Sequence, residues 1–331
     1  MVQSLHIENF KSILSLTLPC KKLNVFIGEP NSGKSNIIEA LSLLSQDTVT
    51  DKYFKQIIRF KTMGDLFFDF NINIPVIIKT GLIDTELKYK VREDGITENR
   101  FSLIFKNVKD SQESSYIISH DGKIDQDKFV NILTEFRYYE YKRIQTFQSH
   151  FYTHLVPPYG ENIPGVLLSN SEHKRWVSDF FQSKGFRLTL KPTENDINMS
   201  KMVEDEIYSY PYYTISETMQ RVVFYMLAMM TNKKSVLLFD EPESNTFPFY
   251  TKFLAESIAL DDTNQFFITT HNPYLLGSLI QKCKLNDLNI VIVRMKDYQT
   301  TVFPVNSDKI GDMISEGGDI FFDLSKFIEN D

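Results

Sequence analysis

The chain has 331 residues, of which 42% are hydrophobic and 24% charged, and its formal net charge at pH 7 is −7. This composition is ordinary for a globular protein and supplies enough apolar residues for the core of one large domain or of two. The acidic balance argues against a protein that coats DNA through its overall charge, but it allows a local basic patch. Cys20 and Cys283 stand far apart, so the sequence predicts neither a disulfide framework nor a zinc site.

Targeting signals are the next feature to consider. No apolar run approaches the length that crosses a bilayer, and the first residues lack the charged and apolar regions of a signal peptide. We therefore expect a cytoplasmic protein without a membrane partner. The sequence also shows no internal repeat and no long heptad array.

The N-terminal part of the chain predicts a nucleotide-binding loop. An apolar strand over residues 23–27 precedes a G-x-x-x-x-G-K-S sequence, and an amphipathic helix follows. The two glycines let the chain wrap closely around phosphate, and N–H groups at the helix start point toward it. Lys34 supplies a positive charge for the outer phosphates, and the Ser35 hydroxyl can hold Mg²⁺. The predicted nucleotide-binding residues are Gly28, Asn31, Ser32, Gly33, Lys34, Ser35 and Asn36.

The middle of the chain predicts two different kinds of structure. A meander of short strands is expected over residues 66–72, 75–80, 86–91, 101–107 and 116–119, with turn signals at 93–95 and 120–123. A short helix over about 126–135 and an aromatic strand over 136–144 follow. A loop rich in proline and glycine at 157–165 marks a lobe boundary. Residues 171–230 are predicted to be mainly helical, with a long apolar helix over about 217–230.

Two weaker signals have ordinary explanations. His150 and His154 have a helical spacing that suits zinc, but the middle position lacks a glutamate and no third ligand is identifiable. Residues 137–143 interleave basic and aromatic side chains, which is typical of a nucleic-acid platform. An amphipathic strand gives the same alternation, and we favour that interpretation.

Two apolar strands in the second half of the chain end in polar clusters. Residues 235–239 run into Asp240-Glu241-Pro242-Glu243, and residues 265–269 run into Thr270-His271-Asn272-Pro273. Asp240 is predicted to hold the water shell of Mg²⁺, and Glu241 to orient or deprotonate the attacking water. His271 is predicted to contact the γ-phosphate. Either motif alone also fits an ordinary strand end, but their combination with the phosphate loop favours a catalytic site.

The predicted fold is a two-lobed α/β ATPase. The tail alternates strands and helices over residues 234–239, 249–259, 265–270, 274–281, 289–294 and 300–304. An antiparallel β meander and a helical lobe are inserted between the nucleotide motifs. We expect a single domain over 1–331, with an N-terminal lobe at 1–150, a helical segment at 151–230 and a C-terminal lobe at 231–331.

These motifs resemble a known family. The opening Ile-Glu-Asn-Phe-Lys-Ser-Ile sequence at 7–13, together with the loop, is similar to the start of RecF/SMC-type ABC ATPases. The sequences at 240–243 and 270–276 narrow the resemblance to the OLD-like branch, also called AAA15 or AAA21. The resemblance extends from about residue 3 to about residue 305. It implies an ABC-type P-loop fold with a mixed sheet, and ATP-binding dimers that serve DNA repair or bacterial anti-phage defence.

The resemblance also implies roles for individual residues. Residues 28–36 match the phosphate loop, Asp240 the metal-shell acid, Glu241 the catalytic base and His271 the switch histidine. Ser216, at the start of a helix, matches the signature that faces the nucleotide of the opposite subunit, although a plain capping serine predicts the same sequence. Thr218 stands where the signature usually has glycine, and Phe247 where a histidine is common. Both departures bear on the rate of hydrolysis more than on nucleotide binding.

The sequence leads to one main functional hypothesis with alternatives. Members of the OLD type often carry a TOPRIM nuclease domain, whereas the residues after His271 hold no compact acidic cluster for two-metal cleavage. We therefore expect a homodimer or higher oligomer that uses ATP and Mg²⁺ in anti-phage defence, with a separately encoded effector such as a nuclease. The alternatives are a low-turnover ATP-gated scaffold, suggested by Thr218, and a RecF-like repair protein that binds DNA directly. A transporter subunit fits the motifs poorly.

Overall fold

The computed structural model describes residues 1–45, 49–50, 52–90, 100–125, 135–148 and 153–328. The strands in these residues form three sheets. The predicted turn at 93–95, all but the last residue of the predicted helix at 126–135, and His150 lie outside the described residues. No helix within the described ranges is both long and apolar enough to cross a membrane.

A six-stranded mixed sheet forms the centre of the protein, with the strand order β16-β15-β3-β14-β13-β9. Neighbouring strands are parallel except β15 and β16, which form an antiparallel hairpin. The inner strands are fully buried along most of their length, as expected for near-continuous apolar runs covered on both faces. The strands are β3 (Leu23–Ile27), β9 (Phe136–Tyr139), β13 (Val236–Asp240), β14 (Gln265–Thr269), β15 (Leu288–Lys296) and β16 (Gln299–Pro304).

Two hydrophobic cores lie on the two faces of this central sheet. Leu238 belongs to one core together with α1 (Lys34–Ser42), and the N-terminal sheet packs into the same core. Leu237 and Phe239, which alternate with Leu238 along β13, belong to the other core. The helices of that second core are α3 (Ile163–Ser169), α4 (Ser171–Gln182), α5 (Glu217–Thr231), α6 (Pro248–Leu260), α7 (Pro273–Lys282) and α8 (Ser307–Glu316).

The N-terminal sheet is antiparallel and has seven strands in the order β2-β1-β4-β5-β6-β7-β8. The predicted antiparallel meander is thereby confirmed, and it joins the first hairpin of the chain in one sheet. Before it comes a single helical turn, α2 (Phe54–Ile57). The strands are β1 (Ser4–Phe10), β2 (Ile13–Pro19), β4 (Val76–Lys79), β5 (Ile83–Lys90), β6 (Arg100–Asn107), β7 (Glu113–Ser119) and β8 (Ile124–Asp125).

Two predicted strands differ from the structure. The strand predicted at 66–72 is wrong: Met63–Leu66 and Phe68–Phe70 are short 3-10 turns, because Asp69 and Phe70 adopt positive φ angles of 49° and 59° that interrupt an extended chain. The strand predicted at 136–144 ends at Tyr139. The N–H of the next residue, Glu140, donates to Pro158 O at 3.1 Å instead of continuing the sheet.

The helical prediction for residues 171–230 is wrong over its central part. Residues 187–211 form a third, antiparallel sheet of β10 (Arg187–Lys191), β11 (Asp196–Val203) and β12 (Glu206–Pro211). Leu188 and Leu190 alternate with polar residues and pair with Met199 and Ile197, which are buried, so the period-two pattern sets the structure. The flanking helices α4 and α5 agree with the prediction.

An ion cluster around the buried Glu39 attaches α1 to the N-terminal sheet. Glu39 of α1 accepts hydrogen bonds from the Lys11 ammonium and from Arg59, whose Nε lies 2.6 Å from Oε1 and whose backbone N–H lies 3.2 Å from Oε2. The side chains of Glu39 and Lys11 are only 5% and 11% exposed. Burial lowers the pKa of Lys11, and the Glu39 carboxylate opposes this shift. Glu39 therefore links α1, the helix that follows the phosphate loop, to the two segments that carry Lys11 and Arg59.

We predict that Glu39→Ala lowers the free energy of unfolding by about 3 kcal/mol, because it leaves the buried Lys11 ammonium without its counterion. Urea unfolding measures this change. Glu113→Ala is the matched control, since the Lys106–Glu113 pair is 3.7 Å long and solvent-exposed; its removal should cost less than about 1 kcal/mol. Equal small changes in both variants would contradict the structural role of Glu39.

Candidate functional site

The phosphate loop connects β3 to α1, and both of its glycines are required by close contacts. A Cβ atom on Gly28 would lie 2.2 Å from Val293 O, and one on Gly33 would lie 2.0 Å from the Thr300 hydroxyl oxygen. Gly33, which precedes the first residue of α1, also has φ +99°. The β15–β16 hairpin supplies both contacts. It therefore supports the loop from behind and leaves no room for a side chain at either glycine.

A cavity of about 340 Å³ opens over the loop. Residues 30–36 line it together with Ser12, Arg59, Glu241 and Met295. The Lys34 ammonium donates hydrogen bonds to Gly28 O at 2.9 Å and Glu29 O at 2.8 Å. Burial lowers the pKa of Lys34, while the nearby carboxylates of Glu241 and Asp240 oppose that shift. All of the predicted loop residues except Gly28 thus share one cavity with Glu241, which is more than 200 positions away in the sequence.

Ser35 and Asp240 meet at the carboxyl end of β13. The Ser35 hydroxyl donates to Asp240 Oδ1 at 3.3 Å, and the Thr269 hydroxyl donates to the same oxygen. Burial raises the pKa of Asp240, and these two hydrogen bonds oppose the shift. A hydroxyl and a carboxylate fit Mg²⁺, which takes oxygen ligands and usually binds one or two protein groups beside substrate phosphates. A cation there would also offset the burial of the carboxylate charge.

Glu241 and His271 form a contact at the edge of the same cavity. Glu241 Oε1 lies 3.0 Å from His271 Nδ1, and the two side chains are 37% and 61% exposed. The N–H of Glu241 donates to Thr269 Oγ1 at 3.0 Å, and its φ of 47° lies in the left-handed region. This backbone conformation, uncommon for a residue with a side chain, turns Glu241 out of the strand direction.

Glu243 is a buried acid to which the sequence analysis assigned no role. It is 3% exposed, and its Oε1 accepts a hydrogen bond from the fully buried Thr270 hydroxyl. Its Oε2 has no hydrogen-bond partner in the described part of the chain. Burial raises the pKa of Glu243 to about 7. The available sequence signal was a third acid in the 240–243 motif and a threonine just before His271.

Ser216 lies away from the phosphate loop. It precedes α5, is exposed, and makes no side-chain capping hydrogen bond. Together with Phe181, Lys201 and Met219 it lines a different cavity of about 270 Å³. Thr218, two residues farther on, donates from its hydroxyl to Asn245 O at 3.4 Å, which links the start of α5 to the turn after Glu241. The structure of one chain therefore does not bring Ser216 together with Lys34.

Several residues around the loop had no predicted role, although Ser12 lies in the 7–13 motif. Ser12, in the turn between β1 and β2, has its hydroxyl 2.6 Å from the Thr300 hydroxyl and accepts a hydrogen bond from Asn36 Nδ2 at 2.7 Å. Arg59 lines the cavity. Glu140 follows β9 beside Asp240, in line with the register Phe239–Tyr139, and burial raises the pKa of its carboxyl. These residues come from remote segments that only the tertiary fold joins.

We predict that Gly33→Ala destabilises the protein and abolishes nucleotide binding, because its Cβ would overlap the Thr300 hydroxyl in addition to straining the backbone. Gly185→Ala separates these effects: Gly185 has φ +83° but no neighbouring atom within 4 Å. In this control the free energy of unfolding should fall by only about 1 kcal/mol, the cost of a positive φ at a residue with a side chain. Urea unfolding gives the two free energies, and equal losses would contradict the steric argument.

A second prediction concerns the pH dependence of stability. The folded state holds the Glu243 proton more tightly than the unfolded state, whose ordinary pKa is 4.5, so stability should fall as the pH rises through about 7. Glu243→Gln cannot ionise, and its stability relative to wild type should grow by about 3 kcal/mol from pH 4.5 to pH 8. Thermal and urea unfolding at both pH values measure the difference, with the exposed Glu113→Gln as control. A difference that does not change with pH would refute the prediction.

Comparisons with known proteins agree with this architecture. A family model described as "AAA ATPase domain" matches residues 1–156, and one described as "AAA domain, putative AbiEii toxin, Type IV TA system" matches residues 134–277. No curated protein matches the sequence.

Two solved structures share the fold. One, the SmcHead bound to the C-winged helix domain of ScpA, is 17% identical with a TM-score of 0.54, and the match covers 94% of this chain and 99% of that chain. The other, an Smc head domain with a coiled coil and joint derived from Pyrococcus yayanosii, is 11% identical with a TM-score of 0.50, and the match covers 95% and 99%. At these identities the likeness concerns the fold alone. The two family matches together span residues 1–277, and with the SMC-head fold they support an ABC/SMC-type ATPase similar to the AAA15 and AAA21 families.

Proposed function

We propose that this protein binds ATP with Mg²⁺ in the cavity over the phosphate loop and hydrolyses it. The observation that carries the proposal is the meeting of Ser35, Asp240, Glu241 and His271 at the carboxyl ends of β3, β13 and β14. Ligands bind at this edge in parallel α/β sheets. The cavity of about 340 Å³ provides space for the phosphates beside the start of α1.

Each residue has a defined part in the proposed reaction. Lys34 and the backbone N–H groups at the start of α1 bind the phosphates, and Ser35 and Asp240 hold Mg²⁺. When bound, the cation neutralises charge on the transferred phosphoryl group. Glu241 orients a water and accepts its proton while the water oxygen bonds to the γ-phosphorus and ADP departs. His271 steadies Glu241 and contacts the γ-phosphate.

The proposed active form is a homodimer or a higher oligomer. Ser216 lines a cavity distinct from the one that Lys34 lines. The start of α5 in one subunit would then complete the nucleotide site of another, with Ser216 facing the partner's phosphate loop. Unpaired N–H groups at a helix start suit contact with the γ-phosphate.

We assign the protein to the OLD-like ATPases and infer a role as a nucleotide-switched component of bacterial anti-phage defence that acts with a separately encoded effector, such as a nuclease. The family description for residues 134–277 names a toxin of a type IV toxin–antitoxin system, which supports a multicomponent setting. The SmcHead with the same fold was crystallised with a domain of a second protein, ScpA. Both observations favour a partner protein for this chain.

A low-turnover scaffold is the second candidate. Thr218 places a side chain in the position where signatures usually have glycine, and its hydroxyl is engaged by Asn245 O at 3.4 Å. A signature held in this way could bind nucleotide and change conformation with little hydrolysis. Such a protein would act through its bound partner and not through turnover.

The decisive experiment compares wild type with Glu241→Gln and Lys34→Ala. We expect Glu241→Gln to reduce kcat for phosphate release by at least about 100-fold with unchanged ATP affinity, since it removes only the proton acceptor. Lys34→Ala should lose ATP binding. Phosphate release, binding of a fluorescent ATP analogue, and light scattering with and without ATP and Mg²⁺ provide the measurements.

The same experiment separates the two candidates. ATP-dependent dimerisation and turnover that disappears in Glu241→Gln would establish the nucleotide-sandwich ATPase. ATP binding without turnover in wild type, and a mass indifferent to ATP, would refute hydrolysis and favour the scaffold. Normal ATP binding by Lys34→Ala would overturn the assignment of the phosphate loop.

A further inference from the structure

The turn that follows β13, residues 241–246, is attached to the neighbouring strand by a contact that the proposed reaction does not use. We call these residues the catalytic turn. Within it, the buried carboxyl of Glu243 accepts a hydrogen bond from the Thr270 hydroxyl. Thr270 stands between Thr269, whose hydroxyl binds Asp240, and His271, which contacts Glu241. Three successive residues, 269–271, therefore contact the three acids of the 240–243 motif.

Thr270 is itself fixed in two directions. Its N–H donates to Phe26 O of β3 at 3.1 Å, and its hydroxyl oxygen accepts the N–H of Asn272 at 3.0 Å. On the other side of the contact, Glu243 O accepts the N–H of Thr246 at 3.0 Å and its hydroxyl at 2.5 Å. The Glu243–Thr270 contact thus joins a fixed point beside the phosphate-loop strand to an internally bonded turn.

Glu241 needs such an attachment more than its neighbours do. Its backbone has φ 47°, a conformation that costs on the order of 1 kcal/mol and persists only where the surroundings impose it. The Glu241 N–H donates a hydrogen bond to the Thr269 hydroxyl. The Glu241 side chain is 37% exposed, and within the described residues its hydrogen-bonding contacts are His271 and, at 3.4 Å, the Ser244 hydroxyl. Small displacements of such a general base reduce the rate strongly.

We propose that Glu243 is a positioning residue for ATP hydrolysis, which anchors the catalytic turn through Thr270 so that Glu241 stays beside His271 and faces the phosphate-loop cavity. This inference rests on the proposed function. Glu243 is buried and does not line the phosphate-loop cavity, so it acts through Glu241. The hydrogen bond requires an acceptor oxygen at Glu243 and a hydroxyl at Thr270, but it does not require a charge.

The burial of Glu243 supports a role that does not depend on charge. Its second oxygen is unpartnered in the described residues, and burial favours the neutral carboxyl. The amide oxygen of glutamine can accept the same hydrogen bond in the same volume. Alanine removes the acceptor, and Thr270→Val removes the donor while keeping the shape of the side chain.

The test measures kcat and KM for ATP, the Kd of a fluorescent ATP analogue, and the melting temperature for Glu243→Ala, Glu243→Gln and Thr270→Val. We expect Glu243→Ala and Thr270→Val to lower kcat by about tenfold, with KM and Kd within about twofold of wild type. Glu243→Gln should stay within about threefold of the wild-type kcat. The double variant Glu243→Ala/Thr270→Val should be no slower than Thr270→Val alone, since both substitutions remove the Glu243–Thr270 hydrogen bond and only the valine also removes the acceptor of the Asn272 N–H.

Each possible result bears on the inference. Unchanged kcat in Glu243→Ala or in Thr270→Val, with a wild type that hydrolyses ATP, would overturn the positioning role alone. A Glu243→Gln variant as slow as Glu243→Ala would overturn the hydrogen-bond mechanism and indicate a need for charge. A loss of nucleotide affinity as large as the loss of kcat would point to general damage and also overturn it. If Glu243→Ala does not fold, Thr270→Val decides, and a wild type without turnover would refute hydrolysis and this role together.

Discussion

The parallel pairing of β13 with β14 determines the geometry of the candidate site. Their register ends with Asp240 opposite Thr269, so the two chains leave the sheet side by side. The residues that follow then meet across a short gap, with Thr270 against Glu243 and His271 against Glu241. A slip of one residue would send every one of these side chains to the wrong face. The strand register, in addition to the motif residues, brings the two strand ends together in one site.

Burial divides the three acids into different chemical environments. Glu243 is buried and Asp240 is half-buried; burial raises the pKa of each carboxyl, and threonine hydroxyls donate to both. Glu241, between them, remains 37% exposed. Leaving a buried acid without a hydrogen-bond donor costs about 1–3 kcal/mol; Thr269, the last residue of β14, and Thr270, which follows it, supply these donors. Neighbouring carboxyls can thereby take different roles, as acid–base sites generally require.

The phosphate loop depends on segments that lie far from it in the sequence. Val293 and Thr300 of the β15–β16 hairpin contact the positions of Gly28 and Gly33. The Thr300 hydroxyl also donates to Ser32 O at 3.2 Å and lies 2.6 Å from the Ser12 hydroxyl. The phosphate loop therefore depends on packing against two distant segments, the β1–β2 hairpin and strand β16 of the central sheet. These packing contacts determine the shape of the loop.

The sequence predicts those features that depend on residues close together in the chain, and not those that depend on contacts between distant segments. The strands β3, β13 and β14 are continuous apolar runs with polar ends, so their type and their place in a parallel sheet followed from pattern. Residues 187–211 carry charged and polar residues on alternate positions of short strands, and this weaker period does not distinguish them clearly from a helix. The contacts of Glu39 with Lys11 and Arg59, and of Glu243 with Thr270, join segments 20 to 28 positions apart along the chain. No residue pattern encodes such pairings, because they arise only when the sheets pack.

The position of α5 gives a physical reason for expecting a second subunit at the nucleotide site. Phe224 and Leu227 of α5 belong to the core on one face of the central sheet, whereas Ile38 and Leu41 of α1 belong to the core on the other. The start of α5 and the start of α1 thus open into separate cavities. The Thr218–Asn245 hydrogen bond nevertheless connects α5 to the catalytic turn of its own chain. In the proposed dimer, this contact places the helix that would face the partner's nucleotide next to the turn that carries Glu241.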